Sequence, residues 1–286
     1  MPDVKISEVL RTGMLATVQD LGRPGYAHLG VPHSGAADRP SLRLANRLVG
    51  NPEGHPALEL TLGGAALRIR GGAWIALTGA PAPLLVGGRP QGMNAPCHVP
   101  AGALVEVGVP VVGLRTYLAV RGGFWVEPVL GSRSTDLLSG LGPPPLAPGD
   151  LLPIGPVSGL SDLAVDVAPV RPLPGTPELR ILPGPRADWF TPEALRTLTS
   201  EPYEVTAQSN RVGVRLRGPA LARVRHEELP SEGMVTGALQ VPPDGQPIIF
   251  LADHPVTGGY PVIAVITTAD LSQAAQLRPG TPVRFR

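Results

Sequence analysis

Lysine is almost missing from this chain. Lys5 is the only one, and arginine supplies the other basic residues. No lysine is left for a phosphate-binding loop, for a Schiff base in a core, or for biotin attachment in an internal motif. If ATP or biotin takes part in the chemistry, another chain must bring the phosphate-binding loop or the biotin carrier. Cysteine is equally scarce. Cys97 stands alone, which excludes a disulfide framework and a cysteine-rich metal site. The six histidines, at 28, 33, 55, 98, 226 and 254, show neither HxH nor HExxH spacing, so no metal site is expected. No apolar run reaches the roughly 18 residues of a membrane span. No basic region followed by a long apolar run marks a secretory signal. An excess of either charge is lacking too: a net charge of +1 offers no electrostatic case for nucleic acid or an anionic membrane. The expectation is a soluble, cytoplasmic protein.

Proline and glycine are abundant instead, at 36 each in 286 residues. That length holds one large or two medium domains, and that composition favours short strands joined by many turns. Residues 4–18 alternate and read as one or two strands around Thr12-Gly13. Apolar segments then follow at 57–62, 66–70, 73–79, 84–88, 103–108 and 112–123, separated by Gly and Pro. Leu67 and Ile69 alternate with Arg68 and Arg70, and Val105 and Val107 flank Glu106. Many short strands at regular spacing predict a barrel or sandwich. Few helices are expected. One starts at Asp38 as N-cap, with Pro40 in its first turn and Leu42, Ala45, Leu48 and Val49 on one face. Another has Thr191 as N-cap and Pro192 at N1. Residues 156–177 lack periodicity and mark a boundary, giving domains 1–170 and 171–286.

Two stretches carry more polar chemistry than strands and turns require. The first is QDLGRPGYAHLGVPHSGAADRPSLRLANRLVGN, 19–51, which opens on a long loop rich in Gly and Pro. The second is ELPSEGMVTGALQVPPDGQPIIFLADHPVTGGYP, 228–261, where Gln240, Asp244, Gln246, Asp253, His254, Thr257 and Tyr260 surround one short apolar run. Gly258 and Gly259 beside Tyr260 would let backbone amides approach a ligand. A strand with two tight turns is the plainer reading of the same residues. VPHSG before LRLAN and VPPDG before IFLAD share a pattern, which raises an internal duplication.

Common chemistries find little support. Ser34 and Ser231 are not in a G-x-S-x-G elbow, and no G-x-G-x-x-G opens a helix after a strand. His33 and His254 sit in motif loops, as general-base candidates or as hydrogen-bonded surface residues. There remain acids and arginines in glycine-rich turns: Asp20, Arg23, Asp38, Arg133, Arg211, Glu228, Glu232, Asp244 and Asp253. Arginine there can hold a carboxylate with two parallel hydrogen bonds; a surface ion pair or a turn cap is the alternative.

Taken with GSRST (131–135) and SNRVGVRLRGP (209–219), the two stretches closely resemble the biotin-dependent carboxyltransferase-like family, also called allophanate hydrolase subunit 2. The resemblance covers nearly the whole chain. The family includes the C subunit of bacterial 5-oxoprolinase, an antagonist of a sporulation-kinase inhibitor, and the carboxyltransferase region of urea amidolyase. Val256 stands where the family's last motif leads one to expect threonine.

The resemblance implies two cyclophilin-like β-barrel domains. For a free-standing chain of this length it implies the C subunit of an ATP-dependent 5-oxoprolinase, opening a lactam to glutamate with B-like and A-like partner subunits and inactive alone. ATP would enter through the complex, with no covalently bound biotin. The alternatives it leaves are a binding protein that antagonises a kinase inhibitor and a carboxyltransferase moving a carboxyl group from carboxybiotin to urea or a similar small amide. The site it implies has Asp20, Arg23, Asp253 and His254 as catalytic candidates. Gln19, Ser34, Asp38, Asn210, Arg211, Glu228, Gln240, Asp244, Gly258, Gly259 and Tyr260 are candidates for substrate binding. Asp20 or Asp253 would polarise an amide nitrogen, and Arg23 or Arg211 would hold a carboxylate.

Overall fold

A computed structural model describes residues 5–286; the expected strand start at Val4 lies outside the described residues. The chain is mainly β and divides into two compact units. The first holds residues 5–23, Asp38–Asp136 and Gly140–Pro172, and the second Pro24–Ala37, Leu137–Ser139 and Leu173–Arg286. Residues 156–177 contain neither helix nor strand.

The first unit contains two antiparallel sheets. One runs in the order Leu151–Pro153, Ile6–Thr12, Ala65–Ile69, Leu104–Val107, Leu84–Val86, Arg89–Gln91. The other runs Leu15–Gln19, Ala57–Thr61, Arg115–Val120, Ala73–Gly79, Cys97–Val99. Alternation sorts the faces: Leu67, Ile69, Val105 and Val107 are buried in one core with Val9, Leu60, Ile75 and Leu118, while Arg68 stays exposed. Each such apolar side chain contributes about 1.5–3 kcal/mol by leaving water. Arg89–Gln91 and Cys97–Val99 were not expected as strands. Each spans three residues at a sheet edge, and Pro90 lies in the first, where a missing N–H is tolerated.

The helix Arg39–Leu48 starts as expected. The Asp38 carboxylate accepts from Ser41 N at 3.1 Å and Ser41 Oγ at 2.8 Å. Leu42, Ala45 and Leu48 are buried, and so is Asn46. Asn46 donates to His55 O at 2.8 Å and accepts from Asn51 Nδ2 at 2.9 Å, which ties the helix end to the turn after it.

In the second unit eight strands pair in the order Glu178–Leu179, Pro282–Phe285, Tyr203–Val205, Gly213–Arg217, Ile248–Phe250, Ala238–Gln240, Val262–Ile266, Ile181–Pro183. The first and last strands of that order are separated in sequence by Arg180 alone, so the sheet is nearly closed into a barrel. Arg180 is held there by Asp270, which accepts from its backbone N at 2.8 Å, its Nε at 2.9 Å and its Nη2 at 2.7 Å. Those hydrogen bonds hold the buried Asp270 carboxyl below its ordinary pKa. Closure removes the unpaired edges that an open sheet would expose. The expected helix forms at Pro192–Ser200, with Thr191 accepting from Ala194 N at 3.0 Å.

The internal duplication does not hold. Leu44-Ala45-Asn46 lies inside a helix, whereas Leu251-Ala252-Asp253 follows the strand Ile248–Phe250. A shared short string carries no fold when its neighbours set different periodicities.

Candidate functional site

Gln19, Asp20 and Arg23 come together in the first unit, around residues 129–136. The Asp20 carboxylate accepts from Gly22 N at 2.7 Å, Ser132 Oγ at 2.6 Å, Arg133 N at 2.6 Å and Ser134 Oγ at 2.5 Å. Gln19 Nε2 donates to Thr135 O at 2.9 Å. Arg23 is 1% exposed; it donates to Ser134 O and faces Asp136 across 3.9 Å. Gly142, with φ +82°, closes the same place: a Cβ there would lie 2.0 Å from Ser134 O. The polar residues of GSRST are thus turned inward, with Ser132, Ser134 and Thr135 buried. Serine suits positions 132 and 134, because each side chain fills little volume while its hydroxyl donates to the Asp20 carboxylate. Arg133 lies outside that set, stacked at 4.4 Å over the Trp125 ring.

Ser34, Arg211 and Asp253 come together in the second unit. Asp253 is 0% exposed and Arg211 1%. Their fork-to-fork pair runs Nε to Oδ2 at 2.9 Å and Nη2 to Oδ1 at 2.9 Å. Asp253 also accepts from Ser34 Oγ at 2.8 Å and from Leu137 N at 3.2 Å. Arg211 Nη2 donates further to Gly35 O at 2.6 Å. Ser34 and Gly35 both adopt positive φ, 54° and 88°. For serine this is a strained conformation that surrounding contacts must hold, and the Asp253–Arg211 pair grips both residues.

His254 is buried and not at the surface, the plainer expectation for a loop histidine. Its ring stacks on Phe250, and Nδ1 lies 2.7 Å from Pro255 O, an acceptor, so Nδ1 carries the hydrogen. Burial pushes its pKa down. A neutral imidazole bound through Nδ1–H presents Nε2 as a proton acceptor.

Gln240, Gly258, Gly259, Tyr260 and Glu228 form a third group, also in the second unit. Gln240 Nε2 donates to Tyr260 O at 3.1 Å. Of the two reasons the sequence offered for glycine here, tolerance of unusual dihedrals and the lack of a Cβ, the first does not apply to Gly258, whose φ is not positive. Its missing Cβ leaves room for the Gln240 amide: a Cβ would sit 2.8 Å from Gln240 Nε2, so any larger residue would displace that side chain. Glu228, Gly259 and Tyr260 line a cavity of about 540 Å³. Asn210 and Asp244 serve turns. Asn210 Oδ1 accepts from Val212 N at 2.8 Å, and Asp244 Oδ1 from Gln246 N at 3.0 Å. Asp244 also borders a second cavity, of about 220 Å³. Among the described residues no three His, Cys, Asp or Glu side chains gather as metal ligands, and no helix is long and apolar enough to cross a membrane.

Asp38 adds to its capping role a contact that sequence reasoning missed. Its backbone N–H donates to Tyr117 Oη at 2.8 Å, and Tyr117 Oη donates to Glu59 Oε2 at 2.7 Å. Arg115 Nε lies 3.4 Å from Glu59. Glu59, Arg115 and Tyr117 are all buried, and burial, then the Glu59 charge, pushes the Tyr117 hydroxyl pKa well up. The signal was in the strands: Glu59 at the centre of ALELT, and Arg115 and Tyr117 at alternate positions of RTYLAV. Tyr117 and Glu59 are cross-strand partners. Tyr117→Phe strips one donor from a buried carboxylate and one acceptor from the Asp38 N–H. It is expected to cost about 1.5–3 kcal/mol, measured by urea unfolding; a change within about 0.5 kcal/mol would refute the role given to the hydroxyl.

Known proteins share this framework. A family model described as carboxyltransferase domain, subdomain A and B, matches residues 29–286. The 5-oxoprolinase C subunit of Escherichia coli K12 is 41% identical over 97% of this chain and 90% of its own. The corresponding C subunit of Haemophilus influenzae is 34% identical, again covering 97% and 90%. The urea amidolyase of Lachancea kluyveri is 36% identical over 97% of this chain but 17% of its own. The crystal structure of TTHA0988 superposes with a TM-score of 0.90 at 38% identity, covering 100% of this chain and 56% of that one. This chain is therefore a homologue of the 5-oxoprolinase C subunit, one component of an enzyme complex, and it belongs to the family of carboxyltransferase domains with subdomains A and B.

Proposed function

We propose that this chain is the C subunit of an ATP-dependent 5-oxoprolinase complex, acting with B-like and A-like partner subunits to convert 5-oxo-L-proline to L-glutamate. The correspondence with the Escherichia coli C subunit over 97% of this chain and 90% of the relative carries the reading, because it spans nearly the whole of both. The two domains, 1–170 and 171–286, are read as cyclophilin-like barrels. In the net reaction water adds its oxygen to the lactam carbonyl carbon, the ring C–N bond breaks, and the nitrogen takes a proton to become the amine of glutamate.

Neither of the two longer helices offers a phosphate an open N-terminus. The N-terminus of the helix Arg39–Leu48 is taken by the Asp38 carboxylate, which repels a phosphate where the helix dipole would attract one. The N-terminus of Pro192–Ser200 is taken by Thr191. Nucleotide binding is assigned to a partner, and no step here runs through it. In this reading Asp20, Arg23, Arg211 and Asp253 position loops, since protein groups already engage them. His254 is the proton acceptor, and the 228–261 stretch contacts substrate.

Mixing this chain with its B-like and A-like partners is expected to give glutamate release dependent on ATP and 5-oxoproline, and none when this chain is left out. An assembled complex without that turnover would defeat the reading. The urea amidolyase relatives support a second reading, carboxyl transfer to a small amide. Carboxylation of urea by the same preparation, given a biotinylated carrier and a biotin carboxylase, would establish it instead.

A further inference from the structure

The cavity beside Tyr260 contains an arginine that neither the motifs nor the reading above uses. Arg223 is half-buried on its wall. Its Nη2 donates to Val241 O, but its Nε is shielded from solvent and has no hydrogen-bond partner among the described residues. Burial lowers the pKa of this guanidinium, and the Asp244 charge offsets only part of the effect. A half-buried guanidinium on a cavity wall is a good receptor for a carboxylate, which it meets with a charge-assisted hydrogen bond.

The cavity is not uniformly basic. Glu227 and Glu228 line it too, as do His226 and the hydroxyls of Ser231 and Tyr260. A dianion would meet repulsion from the two acids. A neutral amide would leave the guanidinium unpaired. A ligand with one carboxylate and, a few ångströms away, an amide N–H satisfies both: the carboxylate turns to Arg223 and the N–H to Glu228. Leu229, Pro230, Pro243 and Pro261 supply flat apolar surface for a small saturated ring.

We propose that this cavity binds a small cyclic amide bearing a carboxylate, with Arg223 as the carboxylate receptor and Glu228 as acceptor for the ring N–H. This rests on the 5-oxoprolinase reading for the identity of the ligand, 5-oxo-L-proline, but not for the existence of the site.

The test has two arms. In the reconstituted complex, Arg223→Gln is expected to raise the KM for 5-oxoproline at least about tenfold, with kcat changed much less, and Arg223→Lys to restore part of the loss. Arg225→Gln, which alters an exposed neighbour paired with Asp188, leaves KM unchanged. On the full chain alone, calorimetric or ligand-observed NMR titration is expected to show 5-oxo-L-proline binding at least about tenfold tighter than 2-pyrrolidinone, which lacks the carboxylate. Arg223→Gln is expected to erase that preference, and Tyr260→Phe, at an exposed ring, to weaken binding without threatening the fold. Turnover with an unchanged KM in a folded Arg223→Gln complex overturns the site and leaves the 5-oxoprolinase reading standing. Equal binding of the two lactams also overturns it. Arg223-dependent binding by the chain, in a complete complex that does not turn over 5-oxoproline, upholds the site and defeats the 5-oxoprolinase reading.

Discussion

Asp253→Ala is expected to lower the unfolding free energy by about 3–5 kcal/mol, the cost of breaking a buried ion pair by removing one partner. Arg211 is 1% exposed and gives Asp253 two hydrogen bonds of 2.9 Å. Without the carboxylate, the guanidinium keeps its desolvation cost and loses the charge that offset it. Ser34 Oγ and Leu137 N lose their acceptor in the same change, and the positive-φ pair Ser34-Gly35 loses its clamp. The double substitution Asp253→Ala/Arg211→Met is expected to be less damaging than Asp253→Ala, because it removes the stranded charge as well. Urea unfolding of these two variants and of Arg211→Met decides the matter. If the double variant is the less stable by the sum of the single effects, the pair is not the source of the loss.

Asp20→Ala is expected to cost about 2–4 kcal/mol. Four donors converge on this carboxylate, and each left unsatisfied in a buried place costs about 1–3 kcal/mol. The serine hydroxyls can rotate to other acceptors, and the site is 8% exposed, so water satisfies part of the rest. The backbone N–H of Arg133 cannot rotate. Asp20→Asn separates the contributions. An amide oxygen in the place of Oδ1 still serves Gly22, Ser132 and Ser134, while the amide NH₂ then faces Arg133 N, a donor against a donor. Asn is therefore expected to cost about half as much as Ala. Its loss should be concentrated at Arg133 N–H, seen as faster hydrogen exchange there. Uniform exchange across 129–136 in Asp20→Asn would show that the carboxylate does not hold this loop.

These two carboxylates show how far the motifs could be read. Aspartates and arginines in glycine-rich turns mark a place where polar chemistry concentrates, and the structure places Asp20 and Asp253 in dense hydrogen-bond clusters. Their sequence context does not say whether the groups face a ligand or one another. That depends on partners far along the chain: Ser132 is 112 residues from Asp20, and Ser34 is 219 residues from Asp253. Arg223 shows the opposite failure. It stands in a run without motif character, ALARVRHE, and only its place on the wall of the cavity that Tyr260 and Glu228 also line gives it a chemistry.

By itself the sequence determined the mainly β class, the strands from Ala57 to Val120 other than Arg89–Gln91 and Cys97–Val99, and both helix starts. Its single lysine also raised the expectation that, if ATP or biotin takes part, another chain handles it. Each depends on near neighbours or on composition: side-chain alternation has a period of two, a cap reaches three residues, and a single lysine can be counted. Only the tertiary structure decided the near-closure of the second sheet across Arg180 and the inward turn of the GSRST serines. It alone paired Asp253 with Arg211 and cleared Gly258 for Gln240. Those features join residues that nothing local relates, and they form because a buried charge or donor must find a partner wherever the folded chain supplies one.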